Sequence, residues 1–91
     1  MLFAWIGYLK DKTRPTSPEV NRQESGFLEQ PYLKIRSVGP LLDSDGSRAA
    51  MLMLFEADDR ATAEAFVANS PYQKAGLYER YALHEYRNQI G

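Results

Sequence analysis

Few side chains in this sequence are suited to proton transfer near neutral pH. Histidine occurs once, at His84, and cysteine does not occur at all. Histidine is the one side chain whose ordinary pKa lies in that range, so His84 is a candidate acid or base. A single histidine without cysteine does not supply the ligand set of a zinc site. We therefore predict no metal and no cofactor.

The surroundings of His84 in the sequence do not supply an orienting carboxylate. Its segment alternates apolar and polar residues, and Glu79 and Glu85 have the opposite parity. In a strand, residues of opposite parity point to opposite faces of the sheet. A lone strand histidine is more often structural or at the surface. Tyr72, which follows a Ser-Pro break, is a second catalytic candidate.

Four strands must position these residues. The segments Leu2–Leu9 and 49–57 are apolar at both odd and even positions, which is typical of central strands covered on both faces. The segments 32–38 and 77–86 alternate instead, which is typical of edge strands with one wet face. Gly39-Pro40 is predicted to end the second strand, and Asp45-Gly46 predicts a hairpin turn.

Two helices lie between the strands. Ser17 is a predicted cap, with Pro18 in the first helical position, and this helix ends before Pro31. Asp58 or Asp59 caps a second helix over 60–68, and a short amphipathic turn follows near Tyr72. The charged segment 10–16 is predicted to be a loop.

The order β-α-β-β-α-β predicts one ferredoxin-like α+β domain over residues 1–91. Right-handed crossovers give a four-stranded antiparallel sheet of order 4-1-3-2, with both helices on one face. The other face is then bare and apolar. A bare apolar sheet face indicates an interaction surface. We therefore predict a homodimer that packs sheet to sheet.

Composition excludes several classes of partner. The formal net charge is −1, which leaves no basic excess to pair with nucleic acid phosphates. The third strand also lacks the exposed aromatic pattern of RNA-binding domains of the same order. The apolar start at residues 1–9 is too short to span a bilayer, so no membrane partner is predicted and we expect a cytoplasmic protein.

Five segments of the chain carry a family resemblance. They are Met1-Leu-Phe-Ala-Trp-Ile-Gly-Tyr8, Val38-Gly-Pro-Leu-Leu-Asp-Ser-Asp-Gly46, Phe55-Glu-Ala-Asp-Asp-Arg-Ala-Thr-Ala-Glu-Ala-Phe66, Ser70-Pro-Tyr-Gln-Lys-Ala-Gly-Leu-Tyr78 and Arg87-Asn-Gln-Ile90. The motifs Gly-Pro-Leu-Leu-Asp-x-Asp-Gly and Pro-Tyr-x-x-Ala-Gly, at the separation they have in this chain, are the most specific when taken together. The segments resemble the YCII-related (YciI-like) family, and the resemblance covers nearly the whole chain.

The resemblance implies a dimeric α+β barrel with a cleft that contains a histidine–aspartate pair, proposed as an acid–base dyad. Most members have no established substrate, and a related member is a dehydrochlorinase. This sequence departs from the pattern at both positions. Counting back from Gly39-Pro40 places Arg22 where the family has histidine, and Ser70 stands where it has aspartate.

Arginine stays protonated and cannot act as a base, and serine without a neighbouring base is a poor nucleophile. The resemblance therefore implies a non-catalytic or small-ligand-binding accessory protein. Its candidate ligand-binding residues are Arg22, Ser70, Tyr72 and Ser37, which suit a small anion such as a carboxylate or phosphate. Alternatively, Arg22 is a solvated helix residue and Ser70 a helix cap.

Two other functions stay open at this point. One is a small-molecule lyase or isomerase of altered mechanism that acts on a small acid, including an aromatic one, through His84, Tyr72 or Arg22. The other is a structural dimer or partner-binding module without a ligand.

Overall fold

A computed structural model describes residues 1–11 and 16–91 of the chain. The predicted element order is confirmed, with a short third helix after the second. The elements are β1 (Leu2–Leu9), α1 (Pro18–Leu28), β2 (Lys34–Leu42), β3 (Arg48–Glu56), α2 (Arg60–Ala68), α3 (Pro71–Lys74) and β4 (Tyr78–Glu85). The strands form one antiparallel sheet of order β2-β3-β1-β4, as predicted. Most of the predicted loop over 10–16 lies outside the described residues.

The helices begin at the predicted caps. The Ser17 Oγ accepts a hydrogen bond from the Val20 amide at 3.2 Å, and Asp59 Oδ1 accepts one from the Thr62 amide at 2.7 Å. The backbone hydrogen bond from Thr62 lowers the pKa of Asp59. Each cap satisfies an amide that the first helical turn would otherwise leave without a partner.

The predicted end of β2 at Gly39-Pro40 is wrong. The strand continues to Leu42, with Gly39 opposite Leu52 and Pro40 opposite Met51 on β3. An edge strand has a neighbour on one side only, so a proline there need not remove a hydrogen bond from the ladder. The same dipeptide would break a central strand.

The hairpin turn between β2 and β3 forms as predicted. The Asp43 amide donates to the Ser47 carbonyl at 2.8 Å, and the Gly46 amide donates to the Asp43 carbonyl at 2.9 Å. Gly46 has φ of 84°, a left-handed conformation that glycine adopts without steric cost.

One face of the sheet and the helices enclose the core. Phe55 of β3 lies at its centre, with its ring 5.0 Å from that of Phe66 on α2. Phe66 in turn stacks on Phe27 of α1, with ring centroids 4.6 Å apart. The aromatic rings therefore connect both helices to the sheet. The buried core residues are Phe3, Trp5, Met53, Phe55, Ala57, Ala63, Phe66, Val67, Tyr78 and Leu83.

The alternation of the last strand predicts that Tyr78 shares a face with Arg80 and His84, and this prediction is wrong. The pairing of β1 with β4 shifts at one point, where Arg80 lies opposite Tyr8 but Tyr78 lies opposite Leu9. This irregularity inserts one extra residue into β4 and reverses the parity before it. Tyr78 therefore shares the core face with Leu83, and both side chains are buried.

The opposite face of the sheet carries apolar side chains. Ala4 lies opposite Leu54, and Ile6 lies opposite Leu52, and all four are half-buried. Within residues 1–11 and 16–91, all the helices pack on the other face. We call Ala4, Ile6, Leu52 and Leu54 the uncovered face. No helix in these ranges is long and apolar enough to cross a membrane.

Candidate ligand-binding site

A buried carboxylate on α1 is the centre of the candidate site. Glu24 is only 6% exposed. The Ser70 hydroxyl donates to its Oε1 at 2.8 Å, and the Tyr72 amide donates to the same oxygen at 3.2 Å. A buried charge is tolerated when hydrogen bonds replace its water, and these two donors do so for Glu24. They also fix the direction in which the carboxylate points.

Ser70 holds this arrangement together because a hydroxyl can donate and accept at once. It is fully buried and is the N-cap of α3. Its Oγ donates to Glu24 and accepts from the Gln73 amide at 3.4 Å. Pro71 follows in the first helical position, where its missing N–H costs nothing. The sequence Ser-Pro-Tyr thus fixes the start of α3 against α1.

Tyr72 makes a second link between the two helices. Its hydroxyl donates to Asn21 Oδ1 at 2.7 Å, and the Thr16 hydroxyl donates to the same oxygen. Burial raises the pKa of Tyr72, and the negative charge of Glu24 raises it further. The phenol is therefore protonated at neutral pH and acts as a hydrogen-bond donor.

A pocket of about 180 Å³ opens beside Glu24. A dry apolar cavity of about 150 Å³ in another protein accommodates benzene, so this volume is enough for one six-membered ring. Its walls are apolar and aromatic, and Glu24 is the one acidic residue among the described residues that form them. The lining residues are Trp5, Glu24, Ser25, Leu28, Val38, Gly39, Met51, Leu52, Met53, Tyr72 and Tyr78.

Trp5 and Tyr78 form the aromatic wall of the pocket on the sheet side. Their rings meet edge to face, with centroids 5.7 Å apart. Burial raises the pKa of Tyr78, and Glu24 adds to the effect, so its hydroxyl is protonated at neutral pH. The Trp5 Nε1 is buried and has no hydrogen-bond partner in the described part of the chain.

The residues predicted from the sequence fall in different places. Ser70 and Tyr72 both contact Glu24 at the site. Arg22 is exposed and does not line the pocket. Ser37 and His84 are exposed, and their pairing places them on the uncovered face of the sheet. Roles for Arg22, Ser37 and His84 in ligand binding or catalysis stay predictions.

Sequence reasoning missed Glu24, although the sequence contains a signal for it. Val20, Phe27 and Leu28 form the apolar stripe of α1, and Glu24 fills the gap in this stripe at helical spacing. An acidic residue in the buried stripe of a helix needs donors from another element. The sequence pattern gives the position of Glu24 but does not reveal that Ser70 and Tyr72 supply those donors.

Comparison with known proteins now identifies the family. The YCII-related domain matches residues 1–87, which is nearly the whole chain. The chain belongs to the YCII-related family. The resemblance predicted from its motifs is therefore confirmed. No curated protein matches this YCII-related sequence.

Two solved structures are similar to this YCII-related protein. One is the 5-chloro-2-hydroxyhydroquinone dehydrochlorinase of Burkholderia phenoliruptrix in complex with 2,5-dihydroxybenzoquinone. It is 26% identical with a TM-score of 0.73, over 96% of this chain and 94% of that chain. The other is a NIPSNAP domain protein of Burkholderia xenovorans, 17% identical with a TM-score of 0.46, over 100% and 99% of the two chains.

Proposed function

We propose that this YCII-related protein binds a small aromatic molecule in the pocket beside Glu24. The observation that carries the proposal is an apolar pocket of about 180 Å³ with aromatic walls and one buried carboxylate. Pockets of this kind, mostly apolar with a few placed polar groups, are typical ligand sites. Further support comes from the 26% identical dehydrochlorinase, which holds a single-ring ligand.

Nuclear magnetic resonance can test this proposal directly. Trp5 is the single tryptophan of the chain and lines the pocket, so one indole N–H resonance reports on the site. We expect small phenols to shift this resonance in a saturable way. They should also stabilise the fold by about 1.4 kcal/mol at ten times the Kd, because they bind only the folded state.

A matched pair of variants shows whether the pocket is the binding site. Val38 is partly exposed at the pocket, whereas Leu41 lies on the same strand and points to the opposite face. Val38→Phe should fill the pocket and abolish the shift, and Leu41→Phe should leave it unchanged. The proposal is wrong if no single-ring compound at millimolar concentration perturbs the Trp5 indole.

A second candidate function is a small-molecule lyase or isomerase of altered mechanism. It is favoured by the Glu24 carboxylate, which could accept a proton from a bound molecule, and by the similarity to a dehydrochlorinase. We would incubate the protein with 5-chloro-2-hydroxyhydroquinone and measure chloride release. Release at saturating substrate that disappears in Glu24→Gln favours the enzyme, whereas binding without release favours the accessory binding protein.

We also propose a two-fold homodimer that packs through the uncovered face. Ala4, Ile6, Leu52 and Leu54 put apolar area in the middle of the sheet, and two copies would cover it. Sedimentation equilibrium at micromolar concentration should give about twice the 10.4 kDa chain mass. Leu54→Lys should shift the equilibrium to monomer. A single 10.4 kDa species for the unmodified protein contradicts the homodimer.

A further inference from the structure

The two oxygens of the Glu24 carboxylate have different surroundings. Oε1 accepts both hydrogen bonds, from the Ser70 hydroxyl and the Tyr72 amide. Among residues 1–11 and 16–91, no group donates to Oε2. A carboxylate has acceptor sites on both oxygens, so Oε2 keeps its capacity to accept a hydrogen bond. Because Glu24 also lines the pocket, its second oxygen is available to a ligand.

The charge at the pocket distinguishes between classes of ligand. No arginine or lysine is among the described residues that line it, and Arg22 is exposed elsewhere on α1. A carboxylate or phosphate in the pocket would lie beside Glu24, and no lining residue offsets that repulsion, although the positive charge of Arg48 acts on Tyr72 from outside the lining. Like charges repel more strongly in a partly dry site than in water. A hydroxyl or N–H group would instead form a charge-assisted hydrogen bond, which is stronger than a neutral one.

We propose that Glu24 makes this pocket selective for neutral aromatic molecules that donate a hydrogen bond, such as phenols, over aromatic carboxylates. The proposal rests on the proposed function, since it names the residue and the chemistry by which that pocket chooses its ligand. It also differs from the anion site expected at Arg22 and Ser70, because the Ser70 hydroxyl is already bound to Glu24. Glu24 is the residue that determines specificity.

A single substitution should weaken the preference for phenols over aromatic carboxylates. In Glu24→Gln the amide oxygen must take the place of Oε1, because the Tyr72 N–H can only donate and would clash with an NH₂ group. The glutamine NH₂ then replaces Oε2 and presents donors to the pocket. Both hydrogen bonds that position the side chain are kept. The substitution therefore changes the polarity of the pocket with little change in its shape.

The experiment compares three probes of similar size: phenol, anisole and benzoate. At pH 7 phenol is a neutral donor, anisole has no donor, and benzoate is an anion. Titrations would follow the chemical shift of the Trp5 indole N–H. This measurement detects weak binding as well as tight binding. For the unmodified protein we expect phenol to bind at least about 10-fold more tightly than anisole or benzoate. This ranking needs no variant, so it stands even if a substitution impairs folding.

The variants then test the role of Glu24 itself. Glu24→Gln should lower the preference for phenol over benzoate by about 10- to 100-fold, the range expected for a hydrogen bond to a charged group. Glu29→Gln is the matched control, because Glu29 is exposed at the end of the same helix. Neither Glu29→Gln nor Arg22→Ala should change the ratio of the two dissociation constants.

Each alternative outcome has a distinct meaning. An unchanged ratio in Glu24→Gln overturns the selectivity proposal but leaves the pocket as a ligand site. Tighter binding of benzoate that is lost in Arg22→Ala overturns it in favour of an anion site at Arg22. If none of the three probes moves the indole resonance of the unmodified protein, the proposed function fails and this selectivity fails with it.

Discussion

Replacement of Phe55 by alanine is expected to lower the free energy of unfolding by about 3–5 kcal/mol. Phe55 is fully buried, and its ring packs on Phe66 of α2 at 5.0 Å and on Phe3 of β1 at 6.0 Å. Removal of the ring takes away its burial and leaves a cavity where sheet and helix meet. The free energy of unfolding of a small domain is about 5–15 kcal/mol in total. A loss of this size should therefore leave the variant close to unfolding.

Urea unfolding followed by circular dichroism measures this effect from the midpoint and slope. Tyr32→Ala is the control, because Tyr32 is 87% exposed and its truncation should change stability by less than about 0.5 kcal/mol. Phe55→Leu should fall between the two, since leucine keeps part of the volume. A loss below about 1 kcal/mol in Phe55→Ala would contradict the central place given to this ring.

Replacement of Gly7 by alanine is expected to destabilise the protein by about 1–3 kcal/mol, although the change adds only a methyl group. A Cβ at this position would lie 2.8 Å from two carbon atoms of the Tyr78 ring. That ring is buried and already packs edge-on against Trp5, so it has little room to move. Glycine is required here because the aromatic ring lies directly on the backbone of β1.

The same substitution should also disturb the pocket, because Trp5 and Tyr78 form its aromatic wall. We expect the Trp5 indole resonance to shift without ligand and phenol binding to weaken. Gly26→Ala is the control, since Gly26 does not line the pocket and a Cβ there meets no atom within 4 Å. It should be neutral or slightly stabilising. If Gly7→Ala is as stable as the unmodified protein, the Tyr78 ring moves at no cost.

The sequence predicted the fold well because its signals are local or periodic. Residues that are apolar at both odd and even positions mark β1 and β3 as central strands, and Ser17 and the pair Asp58-Asp59 mark the helix starts. The two errors both concern edge strands. Gly39-Pro40 does not end β2. In β4, one extra residue shifts the pairing with β1 and places the Tyr78 side chain on the core face. Whether a break signal ends a strand depends on the neighbouring strand, which the local sequence does not contain.

The candidate site was less predictable, because it joins residues far apart in the chain. The sequence by itself determined the family, the strand order and the start of α3 at Ser70-Pro71-Tyr72. Only the tertiary structure decided that the Ser70 hydroxyl and the Tyr72 amide donate to Glu24, about half the chain away. The physical reason is that a carboxylate is tolerated in a core only where folding brings donors to it, and sequence spacing does not record that approach.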